Sequence, residues 1–415
     1  MSGSKTVRLP QMAWYGDTEL EIDFPESWDV TVCRMHGQDA AALSEDGIRK
    51  AFRNPIGTKT IKELAKGKRE VAILFDDMSR ATPTAVIIPY VLEELAAAGI
   101  ADDNIRFIAA IAAHGSMNGI DFRKKLGDEV MGRFPVYNHN PYENCTPLGV
   151  SGRGTPISVN SEVMSCDLKI GIGSIVPHPF SGFGGGSKII LPGVASMETI
   201  DANHSRLGLS PTIGIGTYEG NLVKQDMDET ARMAGLDIKV DAILNLKREV
   251  TALFVGDLIA EHVEGVKLAR EHYATDMVSD ADIVVANCYS KANEMVLALG
   301  IAPPLLSKNG GDMVIIVVTP EGQINHYWIR SFGKIFGGRA WFPRSGLPPN
   351  TKRLTIMAPY SDKVGGDWIA PYNLINWAKT WPEVIQDLKG RYGDRAKVAV
   401  IPDATIQYFP NAPGI

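Results

Sequence analysis

Short unbroken apolar runs and stretches with helical spacing take turns along this chain. Val71–Phe75 is apolar throughout, as a strand covered on both faces would be. After it, Ile87, Val91 and Leu95 recur at helical intervals, which predicts a helix opening at Pro83, with Thr82 as its N-cap and Gly99 as its stop. Pro89 falls inside that helix, where a kink is expected. Ile105–Ala112 and Leu168–Ile172 read as the next strands, the second running into a glycine-rich segment. Val240–Leu244 is a further strand and Leu258–Ala274 a helix. The alternation restarts with Ile283–Ala286 (strand), Lys291–Leu299 (helix) and Met313–Val318 (strand). Leu354–Ala358 and Val398–Ile401 come next as strands, with a helix over Pro382–Tyr392 between them. Ahead of all this, Val7 to Val32 reads as strands joined by a tight turn at Tyr15-Gly16-Asp17.

Repeated βα units imply an α/β fold of two domains, each with a mostly parallel or mixed sheet flanked by helices. The boundary is expected near residue 275, giving domains 1–275 and 276–415. A ligand site is expected in the cleft between them, since pockets favour domain interfaces.

Composition narrows the classes of function. Across 415 residues, 45% are hydrophobic and 22% charged, the values of an ordinary soluble protein. With 42 Lys and Arg against 48 Asp and Glu the net charge is −6, which gives no broad attraction for nucleic acid or an anionic membrane. Cys33, Cys145, Cys166 and Cys288 share no C-x-x-C spacing, so neither a disulfide framework nor a thiolate zinc site is indicated. Met1 to Pro10 lacks the apolar core of a signal peptide, and no apolar run approaches the ~20 residues of a membrane span. A cytoplasmic protein is expected.

Three segments carry candidate chemistry. The first is Gly171 to His204, which holds His178, Lys188, His204 and glycines at 182, 184, 185 and 186. Such glycines permit positive φ and close backbone approach, and their N–H groups could form an anion nest; an ordinary flexible loop would also account for them. Gly186-Ser187-Lys188 does not have the order of a P-loop, and Gly214-x-Gly216-x-x-x-Gly220 has one residue too many for a dinucleotide fingerprint. The second segment, Asp76-Asp77-Met78-Ser79-Arg80-Ala81-Thr82-Pro83, lies at the carboxyl end of a strand, where open α/β sheets bind ligands. Arg80 could hold a carboxylate or phosphate through its planar fork, or pair with one of the two aspartates. The third is Ala112-Ala113-His114-Gly115, again just past a strand; histidine suits proton transfer near neutrality, though a lone histidine is as well explained by structure.

Taken together, these segments resemble the lactate racemase family of nickel-pincer enzymes. The matching pieces are Asp77-x-x-Arg80-x-x-Pro83, Ala113-His114-Gly115, and above all Pro177-His178, Ser181-Gly182, Gly185-Gly186-Ser187-Lys188, Pro192-Gly193 and Asn203-His204. The resemblance implies an isomerase, a racemase or epimerase that moves a hydride off and back onto C2 of a 2-hydroxy acid. Its cofactor would be a nickel-pincer nucleotide, Ni(II) pyridinium-3,5-bisthiocarboxylic acid mononucleotide, attached to Lys188 and ligated through nickel by His204. Sulfur and imidazole donors in a planar pincer suit Ni(II). The resemblance further implies His114 and His178 as an acid/base pair and Arg80 as a substrate anchor. Asp77, Ser181, Gly185 and Gly186 would position the cofactor or active-site groups. On this resemblance residues 1–275 bind the cofactor and 276–415 close over the site, and cofactor-synthesis proteins are expected partners besides the small-molecule substrate.

The second half departs from the family pattern. Where relatives show a glutamine and a lysine, this chain reads Asn287-Cys288-Tyr289-Ser290-Lys291-Ala292-Asn293-Glu294. Lys291 fits as a contact to substrate or cofactor, the glutamine is missing, and the substrate could be lactate, malate, or a larger or sugar acid. Phe332-Gly333-Lys334 and Gly337-Gly338-Arg339-Ala340-Trp341 form another candidate wall. His36, His139, His262, His272 and His326 sit in no motif and are read as structural or exposed. Two other readings stay open: an NAD-type oxidoreductase using the glycine loop, and a carrier of the nickel cofactor without catalysis.

Overall fold

The computed structural model describes residues 4–329 and 344–410. They divide into two units. One contains Asp39–Glu271 with His326–Ile329; the other contains the residues up to Gln38, His272–Asn325 and the described residues from 344 onward. Among the described residues no helix is long and apolar enough to cross a membrane.

The first unit is built on a six-stranded sheet. From edge to edge its strands are Val250–Gly256, Ile238–Leu244, Leu168–Ser174, Val71–Asp76, Ile105–Ala110 and Val136–Asn138. Only the pairing of Ile238–Leu244 with Val250–Gly256 is antiparallel. Every residue of Val71–Asp76 is buried, as its unbroken apolar run required. Val71, Ile73 and Phe75 enter one core with Ile87, Val91 and Leu95, while Ala72 and Leu74 enter another with Ile189, Ile190 and Val194. Each fully buried large side chain contributes about 1.5–3 kcal/mol. The alternation of faces therefore pins the register of the central strand.

The helix after this strand spans Thr84–Ala97 with Pro83 at its N-cap position. Thr82 does not cap it. Its hydroxyl instead bonds Asp76 Oδ2 and, at 2.8 Å, Ser174 Oγ, tying two strand ends together. Pro89 lies inside the helix, and Gly99 comes just after its end with φ +84°. The next strand stops at Ala110, because Ala112 takes a left-handed φ of +54° that no strand accommodates.

Strand order reverses between Val71–Asp76 and Leu168–Ser174, the former continuing outward to Ile105–Ala110 on one side and the latter to Ile238–Leu244 on the other. At such a switch point the loops leaving two carboxyl ends part, and a ligand crevice forms between them.

The second unit holds a fully parallel sheet, ordered Ile375–Ala378, Thr351–Met357, Gly311–Val317, Ile283–Cys288, Lys397–Ile401 and Asp29–Val32. The hairpin Ser4–Gln11/Thr18–Pro25 adds Leu9, Ile22 and Phe24 to its core beside Trp28 and Trp381. The opening segment thus packs with the later strands, not with the residues that directly succeed it. The helix expected over Lys291–Leu299 is a 3-10 segment, Ala292–Gly300, broken at Glu294. The strand order of this sheet reverses between Ile283–Cys288 and Lys397–Ile401. There Asp403 accepts hydrogen bonds from the Ser290 N–H at 2.9 Å and the Thr405 hydroxyl at 2.5 Å.

Candidate active site

At the switch point of the first unit, Asp77 is the residue immediately after the central strand. Its Oδ1 accepts from the Ser79 N–H (2.8 Å) and hydroxyl (2.6 Å), and its Oδ2 meets His114 Nδ1 at 2.6 Å. Burial by itself raises the Asp77 carboxyl, but His114, Arg80 and Ser79 outweigh it and hold the group well below the ordinary carboxylate range. An ionised carboxylate facing Nδ1 makes that nitrogen the donor of the pair and leaves Nε2 as the other ring nitrogen of His114. The strained turn at Ala112 aims this histidine back toward Asp77, and strain of that kind concentrates at functional sites. Arg80 Nη1 donates to the Ser79 carbonyl (2.9 Å) and hydroxyl (2.8 Å), so the guanidinium is anchored at one edge.

The glycine-rich turn is gripped almost residue by residue. His262 Nε2 meets the Gly184 carbonyl at 2.7 Å, the Gly186 N–H donates to Asp241 Oδ2 at 2.5 Å, and the Ser187 hydroxyl donates to Asp228 at 2.7 Å. Gly182, Gly185 and Gly186 all have positive φ. A Cβ at Gly182 would stand 2.1 Å from the Thr217 carbonyl, and one at Gly185 would stand 2.8 Å from Asp241. These glycines serve close packing of the turn onto the protein. The anion nest considered from sequence is not available at Gly186, whose N–H is taken by Asp241. Beyond the turn, Ile189 and Ile190 anchor the chain in the core. That fixes the backbone of Lys188, whose Nζ lies 3.3 Å from His178 Nε2. His178 Nδ1 accepts from the N–H groups of Phe180 (3.2 Å) and Ser181 (3.4 Å), which leaves Nε2 facing Lys188. Ser181 itself donates to the Phe183 carbonyl at 2.7 Å.

His204 lies in a π-helical turn, Ala202–Leu207, an irregularity common at functional sites. Burial, and secondarily Lys188, push its pKa down to about 3, so the imidazole is neutral and has a lone pair to give. Its Nδ1 lies near the Ile200 carbonyl but forms no well-shaped hydrogen bond. Phe180 packs 5.3 Å from the His204 ring and 6.3 Å from the His178 ring, centroid to centroid.

A recess of about 550 Å³, counting the open solvent at its mouth, is lined by Asp77, Arg80, His114, His178, Lys188 and Lys239 among others. Gly185 is also on its wall. Six expected residues thus meet at one place: Asp77, Arg80, His114, His178, Gly185 and Lys188. Ser181, Gly186 and His204 support it from the neighbouring shell and are not on the wall. Lys291 belongs to the second unit, where it is buried and 3.2 Å from Glu294 at that sheet's own switch point. Residues 332–334 and 337–341, the other expected wall, lie outside the described residues.

Comparison with known proteins gives this arrangement a context. Residues 15–216 match the lactate racemase N-terminal domain. The chain is 28% identical over 370 residues to the lactate racemase of Thermoanaerobacterium thermosaccharolyticum, a match spanning 86% of this chain and 83% of that protein. Over 389 residues it is 27% identical to the lactate racemase of Lactiplantibacillus plantarum, spanning 87% and 90% respectively. The chain is thus similar to lactate racemases over most of its length. Its fold is shared with the lactate racemase apoprotein from T. thermosaccharolyticum, at a TM-score of 0.72 and 22% identity, covering 98% of this chain and 100% of that one. A Thermotoga maritima protein superposes with a TM-score of 0.65 at 16% identity, covering 89% and 99%.

In this lactate racemase-like chain, several residues around the site had no signal in the sequence. Lys125 is buried and bonds Asp76 at 2.7 Å, neutralising the carboxylate beside Asp77. Lys239 pairs with Asp241 at 2.5 Å beneath the glycine turn. Glu261, buried against Asp241, has its pKa raised well above the ordinary value, chiefly by desolvation and then by that neighbouring charge, and so stays protonated. Each partner is remote in sequence, and no local motif marks it.

Two buried histidines give this unit a pH signature. Burial pushes His139 and His262 down to about 4, against about 6.5 in an unfolded chain. As pH falls through ~6.5 the unfolded state takes up protons that the folded state refuses, so stability complete above that pH is lost on the way toward 4. Between pH 7 and 5 urea unfolding of this unit should lose about 1–2 kcal/mol per histidine. His262→Gln should flatten that slope; an unchanged midpoint across the range would show the rings are not held neutral.

Proposed function

We propose that this chain is a racemase or epimerase of a 2-hydroxy acid that works through a nickel-pincer nucleotide tethered to Lys188. The observation that carries this reading is the convergence of Lys188, His114, His178 and Arg80 on one recess at a sheet switch point. The residues present suit such a group: an amine at the recess, and a neutral, poorly hydrogen-bonded imidazole at His204 for the metal. When bound, the nucleotide supplies the site that accepts the C2 hydrogen with its electron pair and gives it back.

This chain's own residues have separate tasks. Arg80, steadied by Ser79, binds the substrate carboxylate through its planar fork. His114, with its Nδ1 proton fixed by Asp77, takes the hydroxyl proton on Nε2 as C2 becomes planar. His178, its Nδ1 engaged by backbone N–H groups, exchanges a proton through Nε2 with an oxygen on its own side. The two rings serve opposite enantiomers, and their roles exchange when the other enantiomer enters. Ser181 and the glycine turn hold His178 and Lys188 in place. Lys291 is proposed as a further substrate contact, because it stands at the carboxyl edge of its own parallel sheet, where ligands bind. The relatives named as lactate racemases make lactate the first acid to test, before malate and larger 2-hydroxy acids.

A dinucleotide oxidoreductase is not favoured. Gly214 to Gly220 comes after the π-turn, not a strand, and the Gly216 N–H is bonded to the Gly182 carbonyl at 2.9 Å.

The test is to purify the protein from cells able to make the cofactor, then measure nickel content, the mass of the Lys188 peptide, and optical rotation with single-enantiomer acids. Nickel, an adduct and inversion are expected together. An unmodified lysine without nickel would overturn the mechanism, and a loaded protein that inverts no acid in the panel is a carrier. His204→Ala should keep the adduct mass yet release nickel roughly 10- to 100-fold faster than the parent.

A further inference from the structure

Residues 326–329 rejoin the first unit after a long excursion of the chain, and they land beside two of its histidines. The Tyr327 N–H donates to the Ala113 carbonyl at 2.6 Å, and His326 forms an antiparallel bridge with His114. The His326 ring meets the His114 ring edge to face, 4.9 Å between centroids at 64°. Its Nδ1 accepts the Ile329 N–H at 3.1 Å, which sets the ring's rotation. Two residues on, the buried Trp328 stands 5.3 Å from the His204 ring at 66° and 6.2 Å from Phe180 at 79°. Its indole N–H donates to Asp201 Oδ1 at 2.8 Å, which fixes the indole plane.

We propose that His326-Tyr327-Trp328 is a two-headed brace, in which His326 orients the His114 imidazole and Trp328 orients that of His204. Both are positioning residues. Each acts by packing a ring against an imidazole whose direction matters, the way outer-shell partners orient metal ligands and bases. A single short stretch of chain carries both rings, so the spacing of the two rings that pack on His114 and His204 is set by one piece of backbone. The inference rests on the roles proposed for His114 and His204 in the racemase reading.

The two ends are separable by experiment. In protein loaded with cofactor, Trp328→Ala is expected to keep the adduct mass on Lys188 while nickel dissociates into chelator roughly 10- to 100-fold faster. Trp328→Phe, which keeps a ring there, should restore most of the retention. His326→Ala should hold nickel as the parent does, yet lose roughly tenfold or more in kcat with KM little changed. His326→Phe should recover most of that rate. Where an alanine variant fails to fold, Trp328→Leu and His326→Leu carry the same readouts. Parent-like nickel release from Trp328→Ala, parent-like kcat from His326→Ala, or loss of both properties in both variants would overturn the brace. A parent that acquires neither nickel nor adduct would instead overturn the functional reading, and the brace with it.

Discussion

Lys188→Arg is expected to yield a folded protein with no mass addition at residue 188, no retained nickel and no inversion of any 2-hydroxy acid. The substitution keeps a cation at the recess but removes the primary amine proposed to form the tether. The backbone there does not depend on the lysine side chain. His262, Asp241 and Ser187–Asp228 hold the turn, and Ile189 and Ile190 anchor the chain just past Lys188. Loss of loading with unchanged thermal unfolding is therefore the outcome to look for, by intact-mass analysis and metal analysis on the same sample. A nickel-loaded, active Lys188→Arg protein would end the tethering model.

His114→Ala carries the second large effect. General acid–base assistance contributes about 10²–10⁴-fold, and inversion should slow by that much while nickel and adduct remain. Asp77→Asn probes the same ring without removing it. The amide cannot hold the Nδ1 proton with a full charge, so the ring loses its fixed tautomer and part of its basicity. Since the Asp77 carboxyl is held well below the usual range, it stays ionised throughout the working pH range, and the parent's acid limb should not report it. A His114→Ala protein with parental turnover would remove the acid/base pair from the mechanism, whatever else the recess contains.

Local chemistry was legible in the sequence and long-range chemistry was not. Val71–Asp76 could be read because a strand covered on both faces has to be apolar at every position. His114 and Lys188, which the structure brings to one recess, could be singled out because each sits in a turn whose glycines or small residues mark it. The Asp76–Lys125 pair spans 49 residues, the Gly186–Asp241 bond 55 and the His262–Gly184 bond 78, so their partners looked like ordinary charged or structural residues. His326 was read as structural or exposed because nothing in its neighbours announces a return to the first unit. Thr82 shows the opposite failure. The sequence offers it as a helix cap, but tertiary structure put its hydroxyl to use between two strand ends. The opening strands were visible as strands, yet only sheet pairing reveals that Asp29–Val32 lies beside Lys397–Ile401.

The grip on residues 184–187 has a consequence for how the substrate range of such a protein changes. A loop held by so many contacts of its own loses little further freedom when something is attached to it, so its shape is settled by folding and not by a ligand. Such a loop also cannot widen, because carbonyl and carboxylate atoms occupy the space behind its glycines. Any change in what the recess admits accordingly falls to wall residues outside this loop, such as Arg80.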